Sequence, residues 1–92
     1  MTGRLRLRVM DGGHGPVAGW WPIAGHDLAV RCEGAVWRVL PWALDDYLNS
    51  GPARMRTAGE MLDRHDLTAA RFDTRRDALS AAQLMLHLEG LL

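Results

Sequence analysis

From Arg4 to Val9 polar and apolar side chains alternate strictly, with Arg4, Arg6 and Arg8 on one side and Leu5, Leu7 and Val9 on the other. A period of two predicts an extended segment with one buried face. Asp11-Gly12-Gly13-His14-Gly15-Pro16 ends it, and three glycines with a proline in six residues suit a loop. Val17 to Ile23, around Trp20-Trp21-Pro22, reads as an edge strand or an ordered loop, because proline cannot sit in the middle of a sheet. Gly25 and Asp27 bound it.

The pattern is clearest between Leu28 and Val39. Leu28-Ala29-Val30-Arg31-Cys32 and Ala35-Val36-Trp37-Arg38-Val39 flank Glu33-Gly34, which predicts a tight hairpin bending at those two residues. That register sets Cys32 opposite Ala35, Val30 opposite Trp37 and Leu28 opposite Val39. All six then share one face, and Ala29, Arg31, Val36 and Arg38 occupy the other. A slip of one residue would scatter the apolar set over both faces.

Helical spacing takes over beyond Pro41. Pro41 and Gly51 frame a short helix carrying Asp45 and Asp46 near its start, where the helix dipole favours acids, and Leu44, Tyr47 and Leu48 on one side. A second helix is expected from Ala53 to His65, with Met55, Ala58, Met61, Leu62 and His65 recurring. Thr57 and Glu60 fit a capping box that would start it late. Ala69 to Phe72 reads as a short strand or extended connector.

A third helix opens at Thr74-Arg75-Arg76-Asp77, a capping box with Asp for the usual Glu, and stops at Gly90. Its polar residues Ser80, Gln83 and His87 form one narrow stripe, so the apolar arc is wider than a surface helix uses. Such a helix is either central to the core or packs on the sheet with one side and on a second subunit with the other. His26-Asp27-Leu28 recurs as His65-Asp66-Leu67, at a strand entry and a helix exit, and reads as chance.

These elements predict a single α+β domain over residues 1–92, a small antiparallel sheet of three or four strands with two or three helices packed on one face. Leu5, Leu7, Val9, Leu28, Val30, Trp37, Val39, Leu62, Leu79, Ala82 and Leu86 are the expected core.

Composition narrows the function classes. With 92 residues, 48% hydrophobic and 24% charged, the chain suits one small globular domain. A formal net charge of +0 argues against a DNA-wrapping protein or a polybasic membrane binder. No apolar run reaches the roughly 18–20 residues of a membrane span, and no signal-peptide core is evident, so the cytoplasm is the expected location. Cys32 is the only cysteine, which excludes an intramolecular disulfide. The basic residues are all arginine, as a GC-rich coding sequence would produce, and each offers a planar, permanently charged fork.

Candidate chemistry is sparse. His14, His26, His65, His87 and Cys32 never fall at metal-ligand spacing, so no metal and no cofactor are expected. The hairpin register points Cys32 into apolar surroundings, where a thiol is inert. Asp45 and Asp46 are adjacent, so on a helix their carboxylates diverge. The Gly12-Gly13-His14-Gly15 loop lacks the residues of a phosphate-binding loop. None of this points to an enzyme.

Two surfaces remain. Arg4, Arg6 and Arg8 repeat about 6.5–7 Å apart on a strand, close to the phosphate spacing of nucleic acid, and Arg31 and Arg38 could extend that face. Residues 1–38 carry five arginines against three acids. Alternatively, adjacent Trp20 and Trp21 cannot both point inward from an extended segment. Exposed tryptophan is a residue of protein interfaces. Leu84, Leu88, Leu91 and Leu92 could support a homodimer through the last helix.

Trp37-Arg38-Val39 and Phe72-Asp73-Thr74-Arg75-Arg76-Asp77-Ala78-Leu79 resemble segments of small orphan accessory proteins of actinobacteria and their phages. That resemblance covers about a fifth of the chain. It implies a small phage-type protein that binds and modulates a host protein, and it carries no catalytic residue. The expected function is therefore a non-enzymatic interaction protein contacting a host or self protein through Trp20, Trp21, Leu84, Leu88 and Leu91. The alternative is a nucleic-acid-binding module using Arg4, Arg6, Arg8, Arg31 and Arg38.

Overall fold

A computed structural model describes residues 4–10, 19–43 and 48–92. The glycine-rich segment 11–16, His14, and the residues Leu44, Asp45, Asp46 and Tyr47 of the first expected helix lie outside the described residues. Three strands, β1 (Trp20–Ile23), β2 (Leu28–Glu33) and β3 (Val36–Pro41), form an antiparallel sheet in the order β1-β2-β3. Two helices follow, α1 (Gly51–Arg64) and α2 (Arg75–Leu88). This is the small α+β arrangement expected.

The β2–β3 hairpin keeps the expected faces for its strand residues but not the expected register, and Ala35, expected on the apolar face, falls in the loop and is exposed. Its loop is Gly34-Ala35, closed by Glu33 opposite Val36, so that Cys32 faces Trp37, Val30 faces Val39 and Leu28 faces Pro41. Gly34 has φ +67°. A positive φ at the first of two loop residues is the glycine position of a type II′ hairpin, whose twist matches that of the strands. The bend is thus one residue later than expected, and each pairing moves by two. A shift of two preserves the alternation, so Leu28, Val30, Trp37 and Val39 still share a face. Leu28, Val30 and Val39 are fully buried there, and Trp37 packs beside them half-buried.

Helix α2 covers that face with Ala78, Leu79, Ala82, Met85 and Leu86, and α1 adds Ala58, Met61 and Leu62. The spacing i, i+1, i+4, i+7, i+8 puts the α2 set on one stripe. Every residue of the expected core belongs to this cluster or packs against it.

The N-terminal segment alternates as its sequence requires. Arg4, Arg6, Arg8 and Met10 are exposed, while Leu5, Leu7 and Val9 are half-buried against the core. It is not a full ladder strand. Val9 bridges Ile23 beside β1, with Met10 N–H donating to Pro22 C=O (2.8 Å) and Ala24 N–H to Arg8 C=O (2.9 Å). Further back the segment leaves the sheet for α2. The Gln83 amide accepts from Arg6 N–H (2.5 Å) and donates to Arg4 C=O (2.9 Å). At the other edge Phe72 forms a single bridge to Trp37, the outcome for the connector expected over 69–72.

Two expectations fail around α1. Pro41 ends a strand instead of opening a helix, and Gly51 starts α1 instead of terminating its predecessor. A proline at a sheet edge loses no hydrogen bond when its nitrogen faces outward, and Pro52 then occupies the first turn of α1. Thr57 is no cap. Its hydroxyl donates back to Ala53 C=O (3.1 Å), inside a helix already under way.

Both helices end the same way. After α2, Gly90 (φ +75°) donates to His87 C=O and Leu91 N–H donates to Leu86 C=O. After α1, Asp66 (φ +57°) donates to Asp63 C=O and Leu67 N–H to Leu62 C=O. Each is a Schellman closure, which satisfies carbonyls the helix leaves unpaired. The two ends are tied together by Glu89, whose carboxylate meets the Arg64 guanidinium at 2.9 Å and His65 Nε2 at 2.7 Å.

Hydrogen bonding from Arg64 first, and from His65 next, holds the Glu89 carboxyl below its ordinary value of 4.5. The folded state therefore releases this proton more readily than the unfolded chain. The resulting stabilisation is present above pH 4.5 and is lost as pH falls through the depressed value. Thermal melts of Glu89→Gln should lie below those of the wild-type protein at pH 7, and the gap should narrow as the pH falls below 4.5 and the folded carboxylate takes up its proton. A constant gap across that range would show that Glu89 acts through packing alone.

Candidate functional site

The N-cap of α2 is Thr74, whose hydroxyl accepts from Asp77 N–H (3.0 Å), with Asp77 itself in the first turn. At 100° per residue, Leu84 and Leu88 lie one turn apart on the side opposite Ala82. They point to solvent, 60% and 65% exposed. The Gly90 closure turns the chain so that Leu91 and Leu92 follow at 55% and 39%. The wide apolar arc thus divides into an inner half in the core and an outer half in water. Between them Gln83 is the polar residue that clasps the N-terminal segment, while His87 is exposed. These four leucines are thus exposed close together in sequence at the end of the chain, not scattered singly over the surface.

Trp20 and Trp21 lie on opposite faces of β1, as adjacent strand residues must. Trp21 packs against the core with the Arg75 guanidinium 4.3 Å from its ring centroid. Trp20 stacks on Trp42, centroids 5.0 Å apart, and Arg31 lies 4.9 Å over its ring. Both are half-buried by partners within the chain.

The five candidate arginines separate into two groups. Arg31 and Arg38 are direct cross-strand partners, an arrangement of like charges that is unfavourable by itself. Glu33 answers both, 3.6 Å from Arg31 and 3.3 Å from Arg38, and Arg38 also donates to Thr68 C=O at 2.7 Å. Arg4, Arg6 and Arg8 by contrast are exposed and have no acidic partner among the described residues. The sheet surface is therefore not one continuous arginine ladder.

Cys32 is a half-buried free thiol near the end of the hairpin, its Sγ 3.3 Å from Gly34 C=O. Among the described residues no three histidine, cysteine or acidic side chains converge on a point that could hold a metal ion. No helix among them is long and apolar enough to cross a membrane. Compared with protein-family models, curated proteins and solved structures, the chain matches none of them.

Sequence reasoning missed Gln83, Trp42 and Glu89. The partners of Gln83 lie 77 and 79 residues away along the chain, and no local pattern encodes such a contact. Glu89 carried a weak signal, an acid beside the helix-ending glycine, where the dipole alone would disfavour it.

Proposed function

We propose that this protein is a small non-enzymatic interaction protein whose contact surface is the outer face of α2, with Leu84 and Leu88 at its centre and Leu91 at its end. The observation that supports this reading is the exposure of these leucines on one side of a helix whose other side is already committed to the core. The resemblance to small phage-type accessory proteins points the same way, toward a protein that binds and modulates another.

The simplest partner for a self-complementary apolar stripe is a second copy, paired helix to helix about a two-fold axis. A stable interface needs roughly 800 Å² from each partner, more than four part-exposed leucines supply. The expected dimer is therefore weak, with a dissociation constant of about micromolar order. Sedimentation equilibrium should show concentration-dependent association that Leu84→Glu with Leu88→Glu abolishes while circular dichroism is unchanged. A wild-type chain that stays monomeric up to about millimolar concentration, beyond any micromolar constant, rejects self-association.

A nucleic-acid reading is favoured only by Arg4, Arg6 and Arg8, exposed and without acidic partners among the described residues. An electrophoretic shift at low salt that disappears when all three become alanine would carry it instead.

A further inference from the structure

The N-terminal segment, residues 4–10, uses one of its backbone edges and leaves the other open. In an extended chain the N–H and C=O groups of alternate residues point to opposite edges. Every described backbone hydrogen bond of the segment involves an even residue. Arg4 C=O and Arg6 N–H meet Gln83, Arg8 C=O accepts from Ala24, and Met10 N–H donates to Pro22. The N–H and C=O groups of Leu5, Leu7 and Val9 bond to nothing among the described residues, and they face the edge away from β1. All three residues are half-buried, their side chains at the margin of the core.

The second observation is charge. Arg4, Arg6 and Arg8 stand exposed on the opposite face of the segment, about 6.5–7 Å apart, with no acidic partner among the described residues. A second copy added to this edge about a two-fold axis would set arginine against arginine, and like charges directly opposite are destabilising. A row of one sign rejects a copy of itself and admits a strand of the other sign.

We propose that this edge is a docking site for an extended segment of another protein in which acidic and apolar residues alternate. The incoming strand adds antiparallel to residues 4–10. Its apolar residues lie opposite Leu5, Leu7 and Val9, exchange backbone bonds with them and cover their exposed flanks. Its acidic residues lie opposite Arg4, Arg6 and Arg8, in the non-hydrogen-bonded pairs where side chains come closest. Strand addition answers a donor and an acceptor on each odd residue. A phosphate backbone offers acceptors alone and would leave those carbonyls unanswered. The Gln83 clasp and the Val9–Ile23 bridge hold the segment extended in advance, which lowers the ordering cost of binding. This edge shares no residue with the α2 leucines, so it stands or falls separately from the dimer.

The test titrates acetyl-Val-Asp-Val-Asp-Val-Asp-amide into the isotopically labelled full chain at low salt, followed by amide chemical shifts and hydrogen exchange. The Leu5, Leu7 and Val9 amides should shift and gain protection, while the Arg6 amide, already bonded to Gln83, changes less. Methylating the valine nitrogens of the peptide should abolish binding, because those N–H groups face the chain. Methylating its aspartate nitrogens, which face away, should leave most of it. Replacing Arg4, Arg6 and Arg8 together with Gln should weaken binding about tenfold, with three opposed pairs each near the middle of the usual range. All three side chains are exposed, so that variant should keep the wild-type circular dichroism. Odd-residue amides that do not move at millimolar peptide overturn the proposal. Equal binding by the valine-methylated peptide also overturns it, since the contact would then be charge attraction alone. An oligothymidylate that moves the same amides where the peptide does not would assign the arginines to phosphate and overturn it as well.

Discussion

Leu86→Ala is expected to lower the unfolding free energy by about 2–5 kcal/mol. Leu86 is fully buried, sits on the stripe of α2 that faces the sheet, and its carbonyl anchors the Leu91 closure of the helix. Removing three carbons there loses transfer free energy and leaves a void that a helix pinned at both ends cannot collapse into. A domain of this size holds about 5–15 kcal/mol in all, and each kcal/mol moves the melting temperature by about 4–8 °C. The variant should therefore melt at least about 8 °C lower. Leu88→Ala, two residues on and 65% exposed, should change stability by no more than about 0.5 kcal/mol. Chemical denaturation of the two variants side by side checks the assignment of inner and outer faces. Equal losses would mean that α2 is rotated about its axis from the orientation described.

The contrast between those two leucines shows what the chain makes legible. Alternation and helical spacing report which side of an element is apolar, so the sheet face and the inner stripe of α2 could be read directly. They do not report register beyond parity. Glu33-Gly34 and Gly34-Ala35 are both two-residue loops with one glycine, and the pairings they imply differ by two residues. Both put Leu28, Val30, Trp37 and Val39 on the same side, so the hydrophobic pattern cannot choose between them. The backbone twist chooses, by placing glycine first in the loop. Pro41 was ambiguous for a related reason, since a proline is equally at home in a first helical turn and at an outward position of an edge strand.

The recurring His-Asp-Leu triplet is the opposite case, a local signal that reads as chance but has a shared physical basis. Asp27 and Asp66 are the two non-glycine residues with positive φ among the described residues, at +55° and +57°. In each triplet the left-handed aspartate turns the chain sharply. The leucine that follows goes into or against the core, Leu28 fully buried and Leu67 packed at its margin. Aspartate tolerates that conformation better than most residues. The side chains then diverge in role. Asp27 forms an ion pair with Arg54 that ties the β1–β2 turn to α1. The neighbouring histidine of the second triplet, His65, meets Glu89.

Gln83→Ala should release the N-terminal segment without unfolding the domain. The Gln83 amide makes the only two described hydrogen bonds that hold Arg4 and Arg6 to α2. Each bond contributes about 0.5–1.5 kcal/mol, so together they are worth about 1–3 kcal/mol. Both backbone groups are on exposed residues and water can replace the amide, which favours the lower part of that range. The packing of Leu5 and Leu7 then has to hold the segment alone, and the Val9–Ile23 bridge becomes the first firm attachment. Trypsin reads this directly, because Arg4, Arg6 and Arg8 are cleavage sites inside the segment. When opening is fast relative to cutting, the rate follows the population of the open form. A loss of about 1.4 kcal/mol in local stability should therefore raise cleavage at these sites about tenfold. Cleavage after arginines of α1 and α2 should change far less, because their protection depends on opening the core. Gln83→Glu keeps an acceptor for Arg6 N–H but loses the donor to Arg4 C=O, and should fall between the two. Unchanged cleavage in Gln83→Ala would mean that Leu5, Leu7 and Val9 dock the segment by apolar contact alone, and that the clasp merely satisfies groups already in place.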